Sequence, residues 1–334
     1  MTAAGERPVV LVTDYAWPDL EVERRILDAE LLVAETGEED ELVELAPRAD
    51  AILTCWKPVT AAVLDAAGRC RTVARYGVGL DNIDVGHATS LGMVVTNVPD
   101  FCADEVADTA LLLLLALARR LGPLAADVRA GGWDNRAGGV PVRLRGKVMG
   151  LVGFGNIARR VVPRVQALGM DVLAYRRDGG GYHVPAGVRV TADMGELLAE
   201  ADTVSLHCPL TPQTRGLIGK KELSAMKDTA FLLNTSRGGL VDTEALLSAL
   251  DGGVIAGAGL DVTDPEPLPQ GHRLRDHPLA VLTPHVGFYS GGSTAELAEK
   301  AARNVAAVLR GERPATVVNP AVYQSPALRD LGPR

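Results

Sequence analysis

The chain has 334 residues, which exceeds the usual size of one hydrophobic core, so we expect two domains. It is 47% hydrophobic and 23% charged, as in an ordinary globular protein, and its net charge of −8 argues against nucleic acid or a phosphate-rich partner. The four cysteines include no Cys-x-x-Cys pair, which argues against a zinc site or a disulfide framework and favours the reducing cytoplasm.

Short apolar runs alternate with helical patterns through the first hundred residues. The segment from Leu20 to Glu35 has the spacing of a helix, and the apolar runs predict four strands. Strands that alternate with helices indicate a parallel sheet with helices on both faces. The predicted strands are Val9–Thr13, Ala51–Thr54, Thr72–Tyr76 and Met93–Asn97.

A strongly apolar helix is predicted from Asp104 to Leu121. Acidic residues open it and Arg119 and Arg120 close it, as the helix dipole favours. Its apolar run is too short to cross a bilayer, and no signal peptide pattern precedes the first strand. We expect this helix to be buried almost all round and to connect two domains, with a subunit interface as a second role.

A second series of strands and helices begins at Lys147. It contains six apolar runs, the number of strands in a complete dinucleotide-binding sheet. After Ser293, a helix runs to about Arg310 and would return the chain to the first domain. The six predicted strands are Val148–Val152, Asp171–Tyr175, Thr203–His207, Ala230–Asn234, Ala256–Leu260 and Ala280–Thr283.

The predicted fold class is therefore α/β, with two doubly wound parallel-sheet domains. A Rossmann dinucleotide-binding domain, residues 103–292, would be inserted in a flavodoxin-like substrate domain made of residues 1–102 and 293–334.

A glycine-rich loop follows the first strand of the second series. Gly153-x-Gly155-x-x-Ala158 opens a helix, which is the context that a dinucleotide fingerprint requires. Gly153 permits the tight turn, and Gly155 lets the backbone approach a pyrophosphate at the helix N-terminus. Pro163 would remove a hydrogen bond from this helix and kink it. The alternative interpretation is a plain strand-to-helix turn.

The end of the next predicted strand bears on the choice of cofactor. An NAD site normally has an acidic residue here, which accepts from the ribose 2′-hydroxyl. Arg176 holds this place and Arg177 follows it. Because a guanidinium pairs with a 2′-phosphate, we expect NADP(H) as the preferred cofactor, with NAD(H) possible. In the alternative interpretation both arginines face water and Asp178 reaches back to the ribose.

Three residues that follow successive apolar runs indicate the chemistry. Arg237, Glu266 and His285 would gather beside the dinucleotide loop, because the carboxyl ends of parallel strands share one edge of a sheet. An arginine fork suits a substrate carboxylate, and an imidazole suits proton transfer near neutral pH. A carboxylate beside the imidazole fixes its tautomer. Each residue taken singly has an ordinary structural interpretation, but together they predict hydride transfer between a nicotinamide cofactor and a 2-keto acid.

These motifs resemble the D-isomer-specific 2-hydroxyacid dehydrogenase family over nearly the whole chain. The resemblance implies that a 2-keto acid and a D-2-hydroxy acid are interconverted, with Arg237 binding substrate and His285 with Glu266 relaying a proton. It also implies a homodimer. The segments that carry it are Tyr76–Asp84, Gly153–Ile157, His207–Thr211, Asn234–Gly238, Asp261 with Pro265–Pro267, and Pro284 with His285.

The resemblance also implies which residues bind the two ligands. The backbone of Val78 and Gly79 would hold the substrate carboxylate, and Tyr76 and Phe288 would be further substrate residues. In the cofactor site, His207 and Pro209 would line the adenine pocket, while Thr235 and Asp261 would orient the nicotinamide. The full set of expected cofactor residues is Gly153, Gly155, Asn156, Ile157, Arg176, Arg177, His207, Pro209, Thr214, Thr235, Ser236, Asp261 and Gly287.

Within the family, residues 99–108 and 285–290 resemble the branch that includes the C-terminal-binding-protein corepressors. Two other functions therefore compete with the dehydrogenase. One is a dinucleotide-sensing interaction protein. The other is a dehydrogenase of an unusual anion, such as a phosphonate-bearing keto acid or phosphite, with Arg75 as a second cation.

The intact trio favours the dehydrogenase, because a sensor needs no proton donor. We expect a small 2-keto or 2-hydroxy acid and a second copy of the chain as partners, and we expect no metal, nucleic acid or membrane.

Overall fold

The computed structural model describes residues 7–177 and 184–329, and the chain divides into two compact units. The first unit contains the residues up to Phe101 and those from Ser290 onward, and the second is Cys102–Tyr289. Each unit has one sheet, and the strand pairs described in both sheets are parallel. The predicted fold class of two parallel α/β domains is confirmed, whereas the ligand that each unit binds remains a prediction.

The sheet of the first unit has the strand order β2-β1-β3-β4-β5, which is the flavodoxin-like order. The long helix α11 packs against α1 and the sheet, and so joins the C-terminal part of the chain to this unit. The strands are β1 Val9–Val12, β2 Glu30–Val33, β3 Ala51–Thr54, β4 Thr72–Arg75 and β5 Val94–Thr96, and the helices are α1 Glu21–Ile26, α2 Glu39–Leu45, α3 Ala61–Ala66, α4 Val85–Ser90 and α11 Gly291–Leu309.

The helix predicted from Leu20 to Glu35 is wrong in its second half. Helix α1 ends at Ile26, and Glu30–Val33 is strand β2, which pairs with β1 in the register Val10 with Leu31. None of the β2 residues is fully buried, because β2 lies at the edge of the sheet. An edge strand this short has too little apolar alternation to be distinguished from a helical turn by its sequence.

The sheet of the second unit has the order β8-β7-β6-β9-β10-β11-β12, which is the six-stranded Rossmann order with one added strand. The order of the strands reverses between β6 and β9, where ligands bind in such sheets. The elements are α5 Ala103–Ala118, α6 Leu121–Arg129, β6 Val148–Val152, α7 Asn156–Ala167, β7 Asp171–Tyr175, β8 Val188–Thr191, α8 Met194–Glu200, β9 Thr203–Leu206, α9 Lys220–Ala225, β10 Phe231–Asn234, α10 Thr243–Asp251, β11 Gly257–Leu260 and β12 Ala280–Leu282.

All six predicted strands are present in this sheet, and β8 was missed. Strand β8 is short, mostly half-exposed and at the sheet edge, so it lacks the buried apolar run that identifies the others. Helix α7 continues through Pro163, which lies in its second half.

Helix α5 is shorter than predicted, because Arg120 adopts a left-handed conformation, φ 56°, and α6 begins at Leu121. The exposed residues of the helix form one stripe, Asp104, Asp108 and Leu112, and the others are buried or half-buried. A side chain at Gly259 would place its Cβ 2.9 Å from the Cβ of Leu113, so this glycine lets α5 lie close against β11. No single described helix has the length and apolar character to cross a membrane. Helices α5 and α6 have that length and character only when they are taken together, and a bend of 65° separates them.

Candidate active site

The turn after β10 places Arg237, and Asn234 holds that turn. The Asn234 side chain is fully buried; its Oδ1 accepts from the Ser236 backbone N–H at 3.0 Å, and its Nδ2 donates to the Arg237 carbonyl at 2.8 Å. The Ser236 hydroxyl donates to the Leu206 carbonyl at the end of β9, 2.7 Å away. The guanidinium of Arg237 is half-buried and donates to the Ser236 carbonyl at 2.8 Å.

Gly238 brings this turn against the segment that carries Glu266. A Cβ on Gly238 would lie 2.0 Å from the carbonyl of Thr263, so only glycine permits the approach. The backbone N–H of Thr263 then donates to Oε2 of Glu266 at 3.2 Å. The positive charge of Arg237 is near enough to contribute to a lower pKa of the Glu266 carboxyl.

Glu266 and His285 form a direct pair, with 2.5 Å between Oε1 and Nδ1. Burial by itself would raise the pKa of Glu266, but the hydrogen bond and charge of His285, the Thr263 N–H and Arg237 outweigh it and leave the pKa below its usual value. An ionised carboxylate only accepts hydrogen bonds, so Nδ1 of His285 carries the proton in this contact. No described residue bonds Nε2, and the imidazole is 25% exposed.

The backbone of His285 is strained. Its φ is 53°, in the left-handed region, which costs a residue with a Cβ roughly 1 kcal/mol. The N–H of His285 donates to the Asp261 carbonyl at 2.7 Å, which ties the loop after β12 to the end of β11. The Phe288 ring meets the imidazole edge-on, with 6.3 Å between ring centroids, so this predicted substrate residue lies beside the reactive group.

The glycine-rich loop connects β6 to α7 as predicted. Gly153 has a φ of 94°, and a Cβ there would lie 2.7 Å from the carbonyl of His207, so the turn requires glycine. Gly155 precedes α7, and a Cβ on it would meet no atom within 4 Å. Gly155 and Asn156 are exposed and Ile157 is half-buried, so the N-terminus of a 12-residue helix faces open space where a pyrophosphate would bind.

Two buried polar atoms at this sheet edge have no hydrogen-bond partner among residues 7–177 and 184–329: Oγ1 of Thr235, after β10, and Nδ1 of His207, after β9. Unpaired buried polar groups are unfavourable, so both positions favour a ligand with donors and acceptors. The residues present therefore fit a nicotinamide dinucleotide, whose amide, hydroxyl and phosphate groups supply both.

Other predicted cofactor residues make hydrogen bonds within the protein. The Thr214 hydroxyl is buried; it donates to the Pro209 carbonyl at 2.7 Å and accepts from the Thr211 N–H at 2.8 Å. Thr214 therefore shapes the exposed Pro209 loop, and its contact with the cofactor stays a prediction. Asp261 and Gly287 bond each other, with the Gly287 N–H 2.8 Å from Oδ2 of Asp261.

Arg176 and Arg177 follow β7, where an NAD site has its acidic residue. Arg176 is half-buried, and its backbone N–H donates to the Thr191 carbonyl of β8 at 3.0 Å. Arg177 is exposed; burial raises the pKa of the Cys208 thiol, and the charge of Arg177 partly opposes that rise. The charge of Arg177, at the end of β7, is thus close enough to affect the pKa of Cys208, which follows β9. Asp178, the alternative ribose ligand, lies outside the described residues.

In the first unit, the loop after β4 presents backbone donors. Among the described residues, none accepts a hydrogen bond from the N–H of Val78 or Gly79, while the Val78 carbonyl accepts from Asn97 at 2.9 Å. This is the arrangement expected for binding a carboxylate. The guanidinium of Arg75 is buried and donates to Oδ1 of Asn82 at 3.0 Å, so Arg75 supports the loop from inside.

Tyr76 was predicted to be a substrate residue, and the structure places its side chain in the core of the first unit. Tyr76 is 1% exposed, its hydroxyl donates to Oε1 of Glu23 at 2.9 Å, and its ring meets Trp17 edge-on. The backbone N–H of Tyr76 donates to the Thr54 carbonyl. Tyr76 therefore anchors the substrate loop in the core, because an aromatic ring with a paired hydroxyl is stable when buried.

Sequence reasoning missed several residues that hold the predicted catalytic side chains in place. Asn234, Thr263 and Thr283 each bond a neighbouring turn but contribute no reactive group. An asparagine at a strand end is a signal for a side-chain-capped turn, so Asn234 was detectable. The parts played by Thr263 and Thr283 depend on contacts between separate loops.

The chain is similar to a known family and to named proteins over most of its length. The model of the family described as "D-isomer specific 2-hydroxyacid dehydrogenase, NAD binding domain" matches residues 111–287. A glyoxylate reductase of Thermococcus litoralis is 40% identical over 291 residues, which are 85% of this chain and 88% of the relative.

Two solved structures are similar over nearly the whole chain. A protein from Thermus thermophilus is 40% identical, with a TM-score of 0.84, over 93% of this chain and 99% of that one. An NADPH-dependent glyoxylate/hydroxypyruvate reductase from Sinorhizobium meliloti, in complex with NADP and malonate, is 30% identical, with a TM-score of 0.83, over 94% and 97%.

The buried imidazole of His207 leads to a pH-dependent prediction. Burial lowers its pKa from 6.5 to about 4, so between these values the unfolded chain binds a proton here that the folded chain does not. The free energy of unfolding therefore falls as the pH drops through this range. Over this range we expect the free energy of unfolding of the unchanged protein to fall by about 2–3 kcal/mol more than that of His207→Gln.

Urea unfolding across this pH range measures the difference. His87→Gln, at a partly exposed imidazole in the first unit, is the matched control. The same pH slope for His207→Gln and the unchanged protein would contradict the prediction.

Proposed function

The chain belongs to the D-isomer-specific 2-hydroxyacid dehydrogenase family, and we propose that Arg237, Glu266 and His285 carry out its reaction. It is an NAD(P)-dependent oxidoreductase that interconverts 2-keto and 2-hydroxy acids. The observation that carries the proposal is the 2.5 Å contact of His285 with Glu266, made where the charge of Arg237 also acts on the carboxylate.

Each of the three side chains has a separate role in the proposed reaction. The dinucleotide, when bound, supplies or accepts the hydride. Arg237 binds the substrate through its planar guanidinium, which matches a carboxylate. Nε2 of His285 donates a proton to the oxygen of the keto group as negative charge develops there, and takes it back in the reverse direction. Glu266 orients the imidazole and stabilises its protonated form.

We propose small 2-keto acids as substrates, with the D-2-hydroxy acid as the reduced product. Relatives similar to this chain are named as glyoxylate and hydroxypyruvate reductases. The Phe288 ring beside His285 supports a preference for small substrates, since it takes up room next to the reactive nitrogen. For the first unit, we propose that the N–H groups of Val78 and Gly79 bind a carboxylate.

The two competing functions are not favoured. The corepressor-like sensor needs no proton donor, yet the His285–Glu266 pair is intact. The phosphonate or phosphite dehydrogenase would use Arg75 as a second cation, whereas the Arg75 guanidinium is buried behind its loop. Membership of the C-terminal-binding-protein branch stays a prediction.

Replacement of His285 tests the proposal. We expect the unchanged protein to oxidise reduced dinucleotide with glyoxylate or hydroxypyruvate, and His285→Ala to lower kcat by about 10²–10⁴-fold, because the proton donor is lost. Dinucleotide affinity, followed by nicotinamide fluorescence, should change less than about threefold, because the imidazole serves proton transfer rather than binding.

His87→Ala, an imidazole in the first unit beside Asp65, is the matched control and should keep full turnover. Full turnover by His285→Ala would remove His285 from the mechanism. Tight dinucleotide binding with no oxidation by any 2-keto acid would favour the sensor.

The preference between the two dinucleotides is a separate proposal. The cofactor is a nicotinamide dinucleotide, and we propose that Arg176 makes NADP(H) the preferred form by pairing with the 2′-phosphate. Arg176→Asp should lower the ratio of kcat/KM for NADPH over NADH by about 10-fold or more, because a charge-assisted hydrogen bond is replaced by repulsion.

Arg177→Asp makes the same charge change one residue later and should alter the ratio less. If Arg176→Asp leaves the ratio fixed, the alternative in which Asp178 contacts the ribose is preferred.

We also propose that the protein is a homodimer. The stretch from α5 to the loop after α6 carries five exposed large apolar side chains, and a concentration of such side chains is typical of an interaction surface. Two of these side chains are almost fully exposed, Trp133 at 91% and Val140 at 84%. The set is Leu112, Leu121, Val128, Trp133 and Val140. A second copy of the chain is the occupant that family resemblance implies.

The double variant Trp133→Glu, Val140→Glu should convert the dimer to a monomer in sedimentation velocity, because carboxylates cannot be buried unpaired. Val184→Glu, at an exposed valine outside this stretch, is the control and should stay dimeric. A monomeric unchanged protein would contradict the proposal.

The cytoplasm is the proposed location. The four cysteines, which all lie within the described residues, form no disulfide, and burial raises the pKa of Cys55 and Cys70 to about 12. Buried protonated thiols that do not form disulfides are typical of a reducing compartment.

A further inference from the structure

Asp261 makes a set of contacts that its expected role at the nicotinamide does not explain. The residue follows β11, is 2% exposed, and accepts three hydrogen bonds through its carboxylate. The Thr283 hydroxyl donates to Oδ1 at 2.6 Å, and the Val286 N–H donates to the same oxygen at 2.9 Å. The Gly287 N–H donates to Oδ2 at 2.8 Å. All three donors belong to one loop, residues 283–287.

His285 lies in the middle of this loop and is bound to the backbone of the same residue. Its N–H donates to the Asp261 carbonyl at 2.7 Å, while the Asp261 N–H donates to the Asn234 carbonyl at the end of β10. Asp261 thus joins the loop to the central strands of the sheet. A single residue provides four of the contacts that hold a five-residue loop.

The loop needs this restraint because its central residue is in an unfavourable conformation. His285 has a φ of 53°, and a side chain with a Cβ relaxes from this region unless its surroundings hold it. Gly287 lies so close to the carboxylate that a Cβ on it would be 2.7 Å from Oδ2. The carboxylate therefore packs against the loop as well as bonding it.

We propose that Asp261 is a positioning residue for proton transfer, which holds the loop in the conformation that brings Nδ1 of His285 to Glu266. The inference rests on the proposed role of His285 as proton donor. Asp261 acts through the loop: without its carboxylate the imidazole leaves the 2.5 Å contact with Glu266, and Nε2 no longer points in a fixed direction. Small displacements of a catalytic group lower turnover strongly.

Asp261→Asn, Thr283→Val and Thr283→Ser test this, each alone and combined with His285→Ala. The first replaces the carboxylate with an amide of the same shape, which puts a donor against a backbone N–H. The second removes only the hydroxyl donor, and the third restores it. Measurements are kcat with glyoxylate, the dissociation constant for NADPH or NADH, and circular dichroism to verify the fold.

We expect kcat to fall by about 10²-fold in Asp261→Asn and by less in Thr283→Val, with Thr283→Ser near the unchanged protein. Dinucleotide dissociation constants should stay within about threefold, because the loop and not the cofactor is affected. In the His285→Ala background neither substitution should lower the residual rate further, since residues that act through one group are not additive.

Two results would overturn the inference while leaving His285 as the proton donor. One is a loss from Asp261→Asn that is equally large in the His285→Ala background. The other is a loss of dinucleotide affinity that matches the loss of kcat, which would place Asp261 at the nicotinamide. Full turnover by His285→Ala would instead overturn the proposed function, and the inference with it. If Asp261→Asn does not fold, Thr283→Val and Thr283→Ser test the inference instead, by the same comparison of kcat in the two backgrounds and of dinucleotide dissociation constants.

Discussion

The hydrogen bond between His285 and Glu266 is the contact on which the geometry of the candidate site depends. Its two partners come from different loops, one after β11 and one after β12, and each loop is bonded to the strand beside it. The carboxylate fixes which nitrogen of the imidazole carries a proton, so Nε2 is left for substrate. Because the contact is short and both side chains are partly exposed, the loops must be rigid for the pair to persist.

Two glycines let backbone segments around the site approach one another closely. Gly238 lets the turn after β10 touch Thr263, and Gly153 lets the dinucleotide loop touch His207. At both positions a Cβ would overlap another backbone atom. Asn234 bonds the turn after β10, and Asp261 bonds the loop after β12. The loops that carry Arg237 and His285 are therefore held by hydrogen bonds from buried polar side chains.

In the first unit, too, buried side chains hold a loop that presents backbone donors. The backbone donors of Val78 and Gly79 face outward on a loop whose neighbours, Tyr76 and Arg75, are buried behind it. A buried ring with its hydroxyl bonded to Glu23 fixes one end of the loop in the core. Both units thus expose few reactive groups and bury the polar residues that orient them.

The sequence by itself determined the fold class and the position of the glycine-rich loop between β6 and α7, and it predicted the three side chains that we propose carry out the reaction. Buried central strands such as β6 and β10 are continuous apolar runs, and the glycine loop and Pro284-His285 are local patterns, so each is readable without knowledge of contacts.

Only the tertiary structure decided the edge strands β2 and β8, the burial of Tyr76, the internal bonding of Thr214 and the contacts of Asp261. The physical reason is that each depends on groups distant in sequence: an edge strand is defined by its neighbour, and a polar side chain's role by the partner it finds. For Asp261 that partner is a loop more than twenty residues away, which no local pattern encodes.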